Sequence, residues 1–215
     1  MTLSAEDVAF ARSLVIHEDA HLLVFNKPSG LPVQGGSGIT QSLEHLLAAF
    51  AKSNGKRARL VHRLDRETSG VIVAARTKPA AAFLSEAFAG RDVRKTYFGL
   101  DMMEIAVDGQ AALTCYRTLR ATPETAWLEL APETGRMHQL RAHLAAIGRP
   151  IAGDGKYGGL YRLGAVEISR LMLHAARLDL PHPAGGRSQF AAPLPGDMAE
   201  PLRSLGLEPT PGESC

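Results

Sequence analysis

Short apolar runs broken by glycine- and proline-rich turns dominate this chain, and they do not alternate regularly with helical segments. That pattern predicts the α+β class with a largely antiparallel sheet. Leu14–Ile16 and Leu22–Phe25 flank the charged turn His17-Glu18-Asp19, which reads as a β-hairpin. The irregular loop KPSGLPVQGG follows, and then a helix that Thr40 caps and that runs to about Ala51. Val71–Ala75 reads as a buried strand. A second helix is expected between Thr77 and Gly90, then strands at Arg94–Leu100, Ala111–Ala121 and Ala126–Leu130. Met137, Leu140, Leu144 and Ile147 form one stripe of a third helix, and two last strands are expected at about Leu171–Leu180 and Ser188–Ala191. The tail from Pro193 carries five prolines and is expected to be peripheral or poorly ordered. No repeat and no clean linker interrupts the 215 residues, so one domain over 1–215 is expected, with residues 194–215 as a proline-rich tail.

Composition removes several classes of function. The chain is 45% hydrophobic and 21% charged, as in ordinary soluble domains. Its two cysteines, Cys115 and Cys215, form no CxxC pair and exclude a disulfide scaffold or a zinc ribbon. No apolar run reaches the roughly 20 residues that a membrane span needs. The segment MTLSAEDVAFARS is acidic and polar where a secretory signal is basic and then apolar, so a cytoplasmic protein with no membrane association is expected. The net charge of +2 is too small to name a polyanionic partner, but 18 of the 24 basic residues are arginine. Arginine presents a planar fork that suits phosphate and carboxylate, although genome base composition explains such an excess equally well.

Three clusters carry groups capable of chemistry. LVHRLDRETSG packs His62, Arg63, Asp65, Arg66, Glu67, Thr68 and Ser69 into one turn before a strand. It reads either as a solvated basic loop with Asp65 as a cap, or as a site in which Arg63 and Arg66 favour the charged form of Asp65. An ionised carboxylate shielded from water serves as nucleophile or base. In ETGRMHQLRAH, His138 and Arg141 lie three apart on one helix face, while His138 and His143 are five apart and make no zinc helix. Tyr97 in RKTYFGL is either a cross-strand core residue or a stacking platform for a base. GxSxG, GxGxxG and Walker loops are absent, and the glycines between Gly153 and Gly159 read as turns.

In order, VFNKPSGLPVQ, HRLDRETSGVIVAAR, RKTYFGL, ETGRMHQLRAHLAAIGRPIAGDGKYGG and LMLHAARLDLPHP resemble the RluA-type pseudouridine synthases. The resemblance runs from about Leu14 to Pro193, and HRLDxxTSG is its most specific string. It implies a mixed, mostly antiparallel curved sheet flanked by helices, with a central catalytic cleft. It also implies isomerisation of specific uridines in ribosomal or transfer RNA to pseudouridine, by a monomeric enzyme that needs no cofactor and no metal. Asp65 takes the place of the essential aspartate, Arg141 that of the arginine paired with it, and Tyr97 that of the pocket tyrosine. Leu173 corresponds to the aliphatic residue lining the base, and Arg63 to a side chain beside the extruded nucleotide. His62, Thr68 and Gly70 belong to the motif and shape its loop, with His62 also a candidate substrate contact. Arg136, Lys27, Lys56, Arg57, Arg59 and Lys156 are candidate phosphate contacts. About 13 residues precede the first motif, so the separate N-terminal RNA-binding domain of many relatives is expected to be missing. The alternatives are a non-catalytic RNA-binding protein on the same fold, or a hydrolase that releases uracil through Asp65.

Overall fold

The computed structural model describes residues 3–36, 41–51, 55–100 and 111–207. The elements are α1 (Ala5–Ser13), β1 (Val15–Glu18), β2 (Leu22–Lys27), α2 (Leu43–Leu46), β3 (Arg59–Leu60), β4 (Ser69–Ala75), α3 (Lys78–Ala89) and β5 (Arg94–Leu100). β6 (Thr114–Ala121), β7 (Ala126–Pro132), α4 (Gln139–Ala146), β8 (Arg162–Leu163), β9 (Val166–Glu167), β10 (Leu173–Pro181), β11 (Arg187–Ala191) and α5 (Gly196–Ser204) follow. The chain divides into two compact units: Met1–Val93 with Leu178–Ala192, and Arg94–Arg177 with Pro193–Cys215. It passes from one to the other inside β10 and between adjacent residues elsewhere, which is why no linker composition marks the boundary.

In the first unit β2 pairs antiparallel with β1 and β4, and β3 pairs with β4. Leu22 and Val24 of β2 join Val71, Val73 and Ala75 of β4 in one cluster with Ala80 and Leu84 of α3. The opposite face of β2 carries Phe25, whose ring meets Phe50 edge-on at 5.4 Å. Both faces are buried, so these strands read as continuous apolar runs without alternation. Two local features differ from expectation. Ser4 and Asp7 cap each other reciprocally and start α1, a helix that the polar N-terminal sequence hid. The second helix begins after Ser42, whose hydroxyl accepts from the His45 amide, and tightens into a 3-10 turn over Leu47–Phe50. Thr40 lies outside the described residues.

In the second unit β7 pairs antiparallel with β5 and β6. Trp127, Phe98, Leu128, Leu130, Leu140, Leu144, Met172 and Leu173 build its core. The expected peripheral tail is corrected here. Met198 and Leu202 of α5 are fully buried in that core, with Leu194 and Leu205 packed against it. The apolar residues recur about one helical turn apart, and this spacing outweighs the prolines, including Pro201 within α5. α4 begins two residues later than expected because His138 holds φ 55° and stands outside the helix as its N-cap.

One carboxylate organises the turns of the first unit. Asp19 accepts from the His21 and Leu22 amides at 2.6 and 2.8 Å, and its other oxygen contacts His17 Nε2 and His182 Nε2 at 2.8 and 3.0 Å. Partial burial pushes this carboxyl upward. The hydrogen bonds of His17, His21, Leu22 and His182 outweigh it and hold Asp19 well below the usual carboxylate range. A depressed folded-state value stabilises the fold at pH above the unfolded value, and that stability drains away as pH falls below about 4. Asp19→Asn should cost about 1–3 kcal/mol at pH 7 and flatten the acid limb of urea-melt stability between about pH 5 and 2. An unchanged acid limb would remove Asp19 from this role.

Candidate active site

The Asp65 loop is shaped at both ends by the first unit. β3 is only two residues long, pairing Arg59 and Leu60 with Ala75 and Ala74. The next amide along β4, Val73, donates instead to His62 Nε2 at 2.9 Å. The His62 ring also stacks on Phe88 of α3, with centroids 4.3 Å apart and planes 16° from parallel. His62 therefore turns the chain away from the sheet edge, and one nitrogen and one ring face are engaged within the protein. Asp65 follows, half-buried, and its carbonyl accepts from the Thr68 amide at 3.2 Å to close the turn into β4. Arg63 and Arg66 are exposed on either side.

A second loop holds the first. Lys27 is fully buried, and its ammonium donates to the carbonyls of Pro28, Leu31 and Arg66 at 2.8–2.9 Å. Ser29 Oγ donates to Glu67 O at 2.6 Å, the Gly30 amide to Arg66 O at 2.9 Å, and Arg66 Nε to Gly30 O at 3.0 Å. KPSGL and LDRETS are thus laced together next to Asp65. This corrects the expectation that Lys27 contacts phosphate: its charge is directed into the protein. Lys56, Arg57 and Arg59 are exposed.

The second unit carries the other expected residues. Tyr97 sits half-buried on β5 opposite Leu130 and packs against the core that contains Leu173. Gly99, on the same face two residues on, makes room for that packing. A Cβ there would stand 3.0 Å from Leu130 Cδ1 and 3.7 Å from Leu173 Cδ1. Arg141 lies in the first turn of α4 and is buried. Its Nε and Nη2 donate to Asp154 Oδ2 and Oδ1, both at 2.8 Å. Burial pushes the Asp154 carboxyl upward. The Arg141 hydrogen bonds and charge, with the Tyr157 and Lys156 amides, outweigh this and hold it below the usual carboxylate range. Arg136 is exposed in the turn before α4, and its amide donates to Gln139 Oε1 at 3.1 Å. Lys156 is exposed, with its ammonium 3.3 Å from His138 Nδ1.

The structure therefore brings Asp65, Arg63 and His62 onto one loop, and Tyr97 and Leu173 into one packed cluster. Asp154 is the residue that sequence reasoning missed. The glycines around it read as turn punctuation. The available signal was a lone acid in IAGDGKYGG, following a helix that buries an arginine.

Residues 21–146 match the family described as RNA pseudouridylate synthase. This chain belongs to that family. A ribosomal large subunit pseudouridine synthase C from Vibrio vulnificus is 33% identical over 92% of this chain and 71% of its own length. A ribosomal large subunit pseudouridine synthase D from Xanthomonas campestris is 35% identical over 89% of this chain and 69% of its own length. Among solved structures, human RNA pseudouridylate synthase domain containing 4 superposes with a TM-score of 0.79 at 30% identity, covering 95% of this chain and 98% of that one. The expected RluA-type membership, the α+β class and an RNA pseudouridine synthase activity agree with these relatives. No helix among the described residues is long and apolar enough to cross a membrane.

The Lys27 clamp of this synthase is testable by stability alone. Lys27→Met takes the ammonium from the Pro28, Leu31 and Arg66 carbonyls, of which Arg66 O keeps the Gly30 amide, and should lower stability by about 2–4 kcal/mol in urea melts. A loss under about 0.5 kcal/mol would show that the ammonium does not hold the loop.

Proposed function

We propose that this pseudouridine synthase isomerises uridines of structured ribosomal RNA, with Asp65 as the catalytic carboxylate. The observation that carries the assignment is Asp65 itself, the acid of HRLDRETSG, held on a loop that His62 and Lys27 fix from both sides. The ribosomal substrate rests on the relatives named as ribosomal large subunit pseudouridine synthases. Those relatives are named as enzymes, and nothing among them favours a non-catalytic binding protein.

The reaction breaks the N1–C1′ bond of uridine, turns the base, and joins C5 to C1′. Asp65 attacks C1′ or takes the 2′ proton to give a glycal; both routes need a charged carboxylate beside the ribose. Tyr97 stacks on the uracil and assists loss of the C5 proton, while N1 gains one, so the RNA keeps its mass. Leu173 lines the base. Arg141 is assigned, by the resemblance, as the arginine that acts on the reacting carboxylate. Arg63 occupies the space the flipped nucleotide leaves, and the exposed Lys56, Arg57, Arg59, Arg136 and Lys156 meet phosphates. Flipping a nucleotide costs a few kcal/mol, which favours a loop or bulge over a regular duplex.

Asp65→Asn should slow pseudouridine formation at least about 100-fold while RNA affinity stays within about threefold. Unchanged modification by the variant would remove Asp65 from the chemistry. Free uracil and a lighter RNA from the unaltered protein would establish the hydrolase instead.

A further inference from the structure

A guanidinium taken out of water is stable only where a carboxylate meets it with good geometry and has its own oxygens satisfied. The side chains of Arg141 and Asp154 are 8% and 0% exposed. The contact is a side-on fork, Nε to Oδ2 and Nη2 to Oδ1, which fixes both the position and the plane of the guanidinium. The Tyr157 ring lies beneath it, 5.3 Å from Arg141 Cζ to the centroid.

The carboxylate is held as firmly as its partner. Asp154 Oδ1 also accepts from the Lys156 and Tyr157 amides, each at 3.1 Å. The Asp154 amide donates to Ile151 O at 3.0 Å, and the Asp154 carbonyl accepts from the Gly159 amide at 2.9 Å. Gly153, at φ +74°, lies so close to the Arg170 carbonyl that any Cβ would collide with it. Most of these bonds involve the loop backbone, so the loop is built around the carboxylate that faces α4.

We propose that Asp154 is the positioning residue for Arg141, setting the direction in which its charge is presented to the reaction. The fork uses Nε and one Nη2 hydrogen. Any partner that Arg141 engages during isomerisation therefore meets it through Nη1 or the second Nη2 hydrogen, at a fixed angle. This rests on the role given to Arg141 above. The chemistry needs that angle only at the reacting carboxylate, so disturbing it lowers turnover and leaves RNA binding intact.

The test is steady-state kinetics on a pseudouridine-accepting RNA, with folding checked by circular dichroism. Asp154→Asn keeps the acceptor at Oδ1 and loses the one facing Nε. Its kcat should fall about 100-fold with KM within about threefold. Arg141→Lys combined with Asp154→Asn should be no slower than Arg141→Lys alone, because both changes act through one group. If Asp154→Asn leaves the buried charge uncompensated and does not fold, Asp154→Glu retains the charge and displaces the fork. That variant should lose about tenfold in kcat. A folded Asp154→Asn or Asp154→Glu with unchanged kcat, or losses that multiply in the double variant, would overturn the inference. A third measurement uses the unaltered protein: nitrogen-15 spectra should show a slowly exchanging Arg141 Nε–H that Arg141→Lys removes, and rapid exchange there would contradict the fork. An unaltered protein that forms no pseudouridine refutes the functional reading alone, since the spectrum still reports the fork.

Discussion

The buried Lys27 ammonium is the contact on which the Asp65 loop depends. Two segments far apart in sequence, residues 28–31 and 64–68, carry irregular backbone that no strand or helix satisfies. Lys27 gathers three carbonyls from them, and Ser29 and Gly30 complete the lacing. A buried charge is costly unless its donors are met, so this arrangement specifies one loop geometry and penalises others. The second unit repeats the device with the signs paired differently. There Asp154, itself held by loop amides, receives the Arg141 fork. In each unit a basic side chain removed from water holds a loop against the regular structure beside it.

Much of the regular structure was legible in the sequence, because local rules decide it. β5 matches its expected limits, and α3 follows from the Thr77 cap, an apolar face and Gly90. Where the structure departs from expectation, a second local rule decides. Ser4 and Asp7 spell a capping box in a segment that looked merely polar. Met198 and Leu202 spell a helical face in a segment that looked merely proline-rich. The two-residue strands β8 and β9 fall below any periodicity signal.

The candidate site was legible in a different way. The ordered motifs marked Asp65, Tyr97, Arg141 and Leu173, and no periodicity separated them from ordinary turn, strand and core residues. Lys27 and Asp154 are partners chosen by tertiary contact, with carbonyls up to 39 residues away and a guanidinium 13 residues away. Their roles are invisible to a window of sequence. The same contacts refine the charge argument. Lys27 and Arg141 are cations directed inside the protein, whereas between residues 56 and 66 Lys56, Arg57, Arg59, Arg63 and Arg66 are exposed and Asp65 is the one acid among them. A net charge of +2 thus conceals a local basic approach to one carboxylate.

Pseudouridine mapping of total RNA from cells with and without this protein tests the central claim most directly. The account predicts that defined positions in ribosomal RNA lose the modification when the protein is removed and regain it when the protein is restored. An identical map across ribosomal and transfer RNA in both cells would contradict it.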